Sequence, residues 1–183
     1  MARTTFIGGL ALCAAIAPAG AQDLREFSTR GLPGSAGVVV RVQHPAGWKR
    51  VAVDDQGVLA ELRGPQDRLT GILQVGRGRP HPDMASQCRP ERARTMLQAL
   101  GEQEPDARVT DVFARRLGDR PAYEVRYERN SPPEYLRVRS VIVCLKDSKL
   151  VVSCGAAGRV KAALAGIEPV CGRLLETLSI TEE

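Results

Sequence analysis

The stretch Glu134–Ser179 limits the possible folds of this chain more than any other, because it reads as strand, tight turn, strand and helix in direct succession. Glu134–Leu145 is a long run rich in β-branched residues, Lys146–Lys149 is a turn, and Leu150–Gly155 is a second strand. From Val160 the apolar period changes from two to about 3.6, which predicts a helix ending in Pro169–Leu178. Cys144, Cys154 and Cys171 all lie in this segment, so everything upstream must dock on it.

Residues 1–21 have the form of a cleaved signal peptide. Arg3 is the basic start, Phe6–Ile16 the apolar run, and Ala19-Gly20-Ala21 the small-residue cleavage site. The expectation is a periplasmic protein whose mature chain starts at Gln22. Cys13 loosely fits a lipidation box, but Leu12 is too large for the residue before a lipidated cysteine. No later stretch approaches the ~20 apolar residues of a membrane span. The remaining 162 residues suit one domain, and the chain divides into signal peptide 1–21, flexible lead-in 22–37 and a single domain 38–180. Cys88, Cys144, Cys154 and Cys171 are an even set in an exported chain, which predicts two disulfides. The net positive charge does not imply nucleic-acid binding, since six aromatics are too few to build stacking platforms.

Four short antiparallel strands are expected first, at residues 38–43, 48–53, 58–63 and 69–75, punctuated by Gly, Pro and Asp turns. Pro82-Asp83 then opens a helix to about Leu100, with Met84, Cys88, Ala93, Met96, Leu97 and Leu100 on one face and Gly101 as its stop. Strands at 108–114 and 121–128 lead into the segment described above. The order of four strands, helix, four strands and helix is α+β with a mostly antiparallel sheet of six to eight strands.

A four-residue loop at Asn130–Pro133 would set Glu124 opposite Arg139, Arg126 opposite Arg137 and Glu128 opposite Tyr135. One face of that hairpin is then charged and solvated, and the other apolar. Beyond Ser140 both parities are apolar, which calls for cover on both faces. With Asp147-Ser148 as a two-residue loop, Cys144 faces Val151 and Cys154 faces Val141. The two cysteines then point to opposite faces about three residues apart, and at roughly 3.3 Å per step that exceeds the ~4.4–6.8 Å between bonded cysteines. Each must reach a different helix. Cys154–Cys171 with Cys88–Cys144 is the expected pairing, and Cys88–Cys154 with Cys144–Cys171 is the alternative.

The set His44–Lys49, Gly118–Tyr123, Lys146–Lys149 and Pro169–Leu178, in this order and spacing, resembles the PsbP-like superfamily over about Val38–Ile180. That group includes the extrinsic photosystem II protein, a yeast regulator of the Ran GTPase and bacterial envelope and secretion-accessory proteins. The resemblance implies an α/β/α sandwich with one helix on each face of the sheet, and protein binding rather than catalysis. It supplies no shared catalytic residues. Cys171 and Gly172 depart from the large apolar residue and helix former usual at those positions, which implies that a disulfide replaces apolar packing there.

Chemistry is sparsely signalled. His44 and His81 each sit beside a proline in a loop, without Cys, Asp or Glu at metal-ligand spacing. Gly34–Gly37 lacks the preceding buried strand of a nucleophile elbow, and Asp54-Asp55 is explained by turn chemistry. No phosphate loop or dinucleotide fingerprint is present. Trp48, Tyr123 and Tyr127 alternate with polar residues and read as core. No catalytic, cofactor or metal residues are assigned. The candidates for binding a partner, an envelope or secreted protein with an acidic surface, are Arg126, Arg129, Arg137 and Arg139. The competing reading is a small-ligand or hydrolytic site in a pocket between sheet and helix.

Overall fold

The computed structural model describes residues 23–55, 57–65, 69–84, 89, 91–92, 94–95, 106–132 and 134–183. Among the described residues ten strands form two antiparallel sheets. The large sheet joins two meanders. Strands β3 (Lys49–Val51), β4 (Val58–Arg63) and β5 (Leu69–Arg77) make one, and β6 (Ala107–Leu117), β7 (Arg120–Ser131), β8 (Glu134–Cys144) and β9 (Lys149–Gly158) the other. They meet where β5 pairs with β9, giving the order β3-β4-β5-β9-β8-β7-β6. The small sheet has the order β1-β2-β10, from Leu24–Ser28, Val38–Pro45 and Ser179–Glu182. A 3₁₀ helix at Lys161–Gly166 runs into the C-terminal helix α1, Ile167–Glu176. The expected α+β class is observed.

Alternation builds the core. Leu150, Val152, Cys154 and Ala156 of β9 share a face with Val141 and Val143 of β8 and Leu73 and Val75 of β5. All are buried, under Leu164, Ile167, Cys171, Leu174 and Leu175 of the C-terminal helical segment, Leu178 just after it, and Val38, Val40 and Val42 of β2. The alternate residues Tyr123, Val125 and Cys144 form a second cluster on the opposite face. Apolar residues of both parities in β7 to β9 are therefore covered on both sides, as expected from Val141–Val143. Trp48 is core. Its indole lies so close over Gly71 that a Cβ there would approach Cζ2 to 2.5 Å.

Several expected details differ. Residues 24–28 of the expected lead-in form β1, which pairs with β2, and β2 leaves the expected meander for the small sheet. The C-terminal Ser179–Glu182, expected to follow the last element, is itself a strand on the other side of β2. The β7–β8 hairpin is shifted by two residues, because strand pairing continues through Asn130 and Ser131, which face Tyr135 and Glu134. Glu124 faces Val141, Arg126 faces Arg139 and Glu128 faces Arg137. The β8–β9 turn is centred one residue earlier than expected, on Lys146-Asp147: Cys144 faces Lys149, and Leu145 closes the turn by donating its N–H to the Ser148 carbonyl. Both shifts are even-numbered, so every side chain keeps its expected face.

Cys154 and Cys171 are bonded, with Cα atoms 5.4 Å apart. Cys154 lies opposite Arg139, five residues from Cys144 along β8 and on the other face. Cys144 is also disulfide-bonded, and Cys88, its expected partner, lies outside the described residues. Most of the expected helix from Pro82 to Leu100 lies outside them as well, although Glu91, Arg92, Arg94 and Thr95 are helical.

Candidate functional site

Beyond the apolar part of the core, the face under α1 turns polar, and a charged cluster joins sheet to helix there. Its centre is Glu124 of β7, only 6% exposed. Arg139 on β8 donates from Nε at 2.9 Å, Arg115 on β6 from Nη1 at 2.9 Å, and Arg126 from Nε at 3.4 Å. Arg115 also donates to the carbonyl of Leu175 at 2.8 Å, and so ties β6 to the last turn of α1. Arg139 reaches Glu168 at 3.8 Å, and Arg137 bridges Glu128 at 2.6 Å and Glu168 at 4.0 Å. Glu168 stands in the first turn of α1, where a negative charge also suits the helix dipole.

Burial alone would raise the Glu124 carboxyl. The hydrogen bond and charge of Arg139, with hydrogen bonds from Arg126 and Arg115, outweigh it and hold the group below its ordinary value. A carboxylate kept ionised in this way is a counter-ion, not a proton donor. Gly172 now has a local reason. A Cβ there would come within 3.3 Å of Arg139 Nη1, so the missing side chain lets the guanidinium lie beside the helix.

Three of the four expected arginines meet here, but the face is roofed by α1 rather than open to solvent. The side chains of Arg139 and Arg137 are 15% and 25% exposed, and that of Arg126 is 36% exposed. Arg126 lies with its guanidinium carbon 5.1 Å from the centre of the Phe113 ring. Arg129 is separate: it points from the opposite face of β7, is 36% exposed, and reaches Glu134 at 3.6 Å. Arg115 was not anticipated. The Gly118-Asp119 turn carried its signal, because a two-residue loop with Gly at its first position (φ 60°) pairs Leu117 with Arg120. That register puts Arg115 one diagonal step from Glu124.

The histidines do not converge with this cluster. His44 is buried with Nδ1 2.9 Å from the carbonyl oxygen of Pro45, and His81 is exposed and accepts the Asp83 N–H at 3.1 Å. Among the described residues no group of three or more His, Cys, Asp or Glu side chains is placed to hold a metal ion. An open cleft of about 760 Å³ lies between the β6–β7 turn, the end of β8 and β10, lined by Leu117, Asp119, Arg120, Lys146 and Ile180 among others. Burial raises the Tyr123 phenol, which packs with Val125 and Cys144 on the opposite face. No helix among the described residues is long and apolar enough to cross a membrane.

No protein-family model matches the sequence, and no curated protein matches it. Solved structures do. LpqN of Mycobacterium tuberculosis, described as involved in cell envelope biogenesis, is similar over 86% of this chain and 91% of its own, with TM-score 0.56 and 16% identity. The Ran-binding protein Mog1p of Saccharomyces cerevisiae is similar over 86% and 95%, with TM-score 0.52 and 9% identity. At these identities the likeness concerns the fold alone, and it supports the α+β fold that the resemblance implied.

Proposed function

We propose that this protein is a non-catalytic accessory domain of the periplasm that binds another envelope or secreted protein with an acidic surface. The observation that carries this reading is the fold shared with LpqN across nearly the whole of both chains, a protein described as acting in cell envelope biogenesis. The signal-peptide character of residues 1–21 and the buried Cys154–Cys171 bond fit an exported protein. Mog1p, described as Ran-binding, is a second protein of this fold whose description names a protein partner.

Of the four candidate arginines, Arg126 and Arg129 are the more accessible, whereas Arg137 and Arg139 are committed to holding α1. The test is affinity capture from periplasmic extract on the oxidised protein, followed by direct binding of the purified captured protein. Replacing Arg126 with Gln and Arg129 with Glu should weaken that binding at least tenfold at low salt, with circular dichroism showing that the variant keeps the parent fold. Binding equal to that of the parent protein would remove these two residues from the interface. A captured protein that fails to bind directly would count against the function itself.

A further inference from the structure

The geometry points to a second copy of this chain as the partner of the free edge of β6, the two pairing antiparallel about a two-fold axis at Phe113. β6 closes one end of the large sheet, and its outer edge pairs with no strand among the described residues. At eleven residues it is far longer than β3, the three-residue strand at the other end. A long unpaired edge is a template for another strand. The β-bulge between Val109 and Asp111 interrupts its start, which leaves Asp111–Leu117 as the regular part.

Two side chains on this part lack what would normally complete them. Phe113 is one of the few large apolar residues left exposed, at 44%, in the middle of the regular run. Asp111 is exposed and has no ion pair among the described residues. Both share a face with Arg115, because they oppose Arg126, Glu124 and Ala122 in the β7 register.

Backbone direction restricts the pairing. The tight Gly118-Asp119 turn makes Leu117 and Arg120 a hydrogen-bonded pair, so Phe113, Arg115 and Leu117 turn their N–H and C=O groups toward β7. Those of Val112, Ala114 and Arg116 point outward. A two-fold pairing must match outward residues with outward residues, so its axis lies at a residue and not between two; an axis at Arg115 would set that guanidinium against its own copy, which leaves Val112, Phe113 and Ala114 as the central choices. An axis at Val112 sets Asp111 against Phe113 of the second copy. One at Ala114 sets Asp111 against Leu117 and Phe113 against Arg115. Only the axis at Phe113 places Asp111 opposite Arg115 of the second copy, twice, and ring opposite ring. It does so at the closer, non-hydrogen-bonded positions, where side chains across a ladder interact best.

The charge balance agrees. In each copy the cluster under α1 sets Arg115, Arg126, Arg137 and Arg139 against Glu124, Glu128 and Glu168, one carboxylate too few. Asp111 lies on the same face opposite Arg126 without an ion pair to it among the described residues, and the two-fold pairing brings it instead to Arg115 of the second copy. A contact of about five regularly paired residues per strand, Asp111–Arg115, buries far less than the ~1,600 Å² interface of a stable complex, so the dimer should exchange with monomer.

Sedimentation of the oxidised protein from about 1 µM to about 1 mM should show the mass rising toward twice that of the monomer. Phe113→Thr should stay monomeric over the same range, with circular dichroism showing the parent fold. Under mild oxidation Phe113→Cys should form a cross-linked dimer, while Asp111→Cys, four residues out of register with its own copy, should not. A monomeric parent protein at every concentration would overturn the proposal, as would Asp111→Cys cross-linking as readily as Phe113→Cys.

Discussion

Glu124 shows why a charge pattern on a strand does not reveal whether it faces water. Alternation of Glu124, Arg126 and Glu128 against Arg137 and Arg139 puts all five on one face, and the structure keeps them there. The sequence pattern reads as a solvated face because charged residues are seldom buried, yet α1 covers it and the charges neutralise one another beneath. Removing the central anion should therefore be costly. Glu124→Gln leaves three guanidinia sharing one neutral acceptor, a loss of about 3–5 kcal/mol if it behaves like other broken buried pairs. The pH dependence gives a sharper signature. The folded carboxyl is held below its ordinary value of 4.5, so its stabilisation is complete above that value and is lost as pH falls through the lower folded one. Urea unfolding of the parent protein should weaken across that acid window, and Glu124→Gln should lack this part of the slope. Parallel pH profiles for the two proteins would assign the acid sensitivity elsewhere.

At the scale of elements, face assignments were legible and registers were not. A strand's faces follow from alternation alone, so a two-residue shift at Pro132-Pro133 or at Leu145–Ser148 leaves each side chain where it was expected. Loop length depends on turn geometry, which two prolines or an Asp-Ser pair do not fix. The small sheet was missed for another reason. Leu24–Ser28 and Ser179–Glu182 are short, polar and mostly exposed, and only pairing with the buried β2 makes strands of them. The Cys154–Cys171 expectation survived the register error because it rested on Cys171 lying in the helix that directly follows Cys154, with Cys144 on the opposite face, and neither depends on register. Its closed segment of 17 residues predicts a stabilisation of about 3 kcal/mol from the restricted unfolded chain. Both cysteines are almost wholly buried, so reductant should act only after unfolding. Mass spectrometry of alkylated samples should find the Cys154–Cys171 bond intact in native protein with reductant and cleaved once denaturant is added. A rapid native-state cleavage would mean that α1 lifts off β9 far more readily than this packing allows.

For the whole molecule, the question is what holds the small sheet to the rest, since β1 and β2 alone make a two-stranded ribbon of marginal stability. Val38, Val40 and Val42 bury one face of β2 in the core, and the polar part of the answer lies at the C-terminus. β10 pairs Ser179–Glu182 with Arg41–Val38, the Glu183 N–H donates to Gly37 at 2.8 Å, Glu183 pairs with Arg30, and Glu182 holds Arg120 of the large sheet at 2.9 Å. β10 thus joins strands that are remote in sequence, and such contacts carry a large loop-closure cost before any gain is realised. The β8–β9 hairpin, closed locally and buried on both faces, carries no such cost. The β2–β10 pairing should therefore open at a lower free energy than β8–β9, and hydrogen exchange should show its amides protected less than those of Val141, Val143 and Val152. Deleting residues 179–183 would leave Val38 and Val40 without their neighbouring strand and break the link to Arg120. It should lower the melting temperature while leaving protection in β7 to β9 largely intact. If the deletion removed protection uniformly from both sheets, the small sheet would be an inseparable part of one cooperative unit, and this division of stability would be wrong.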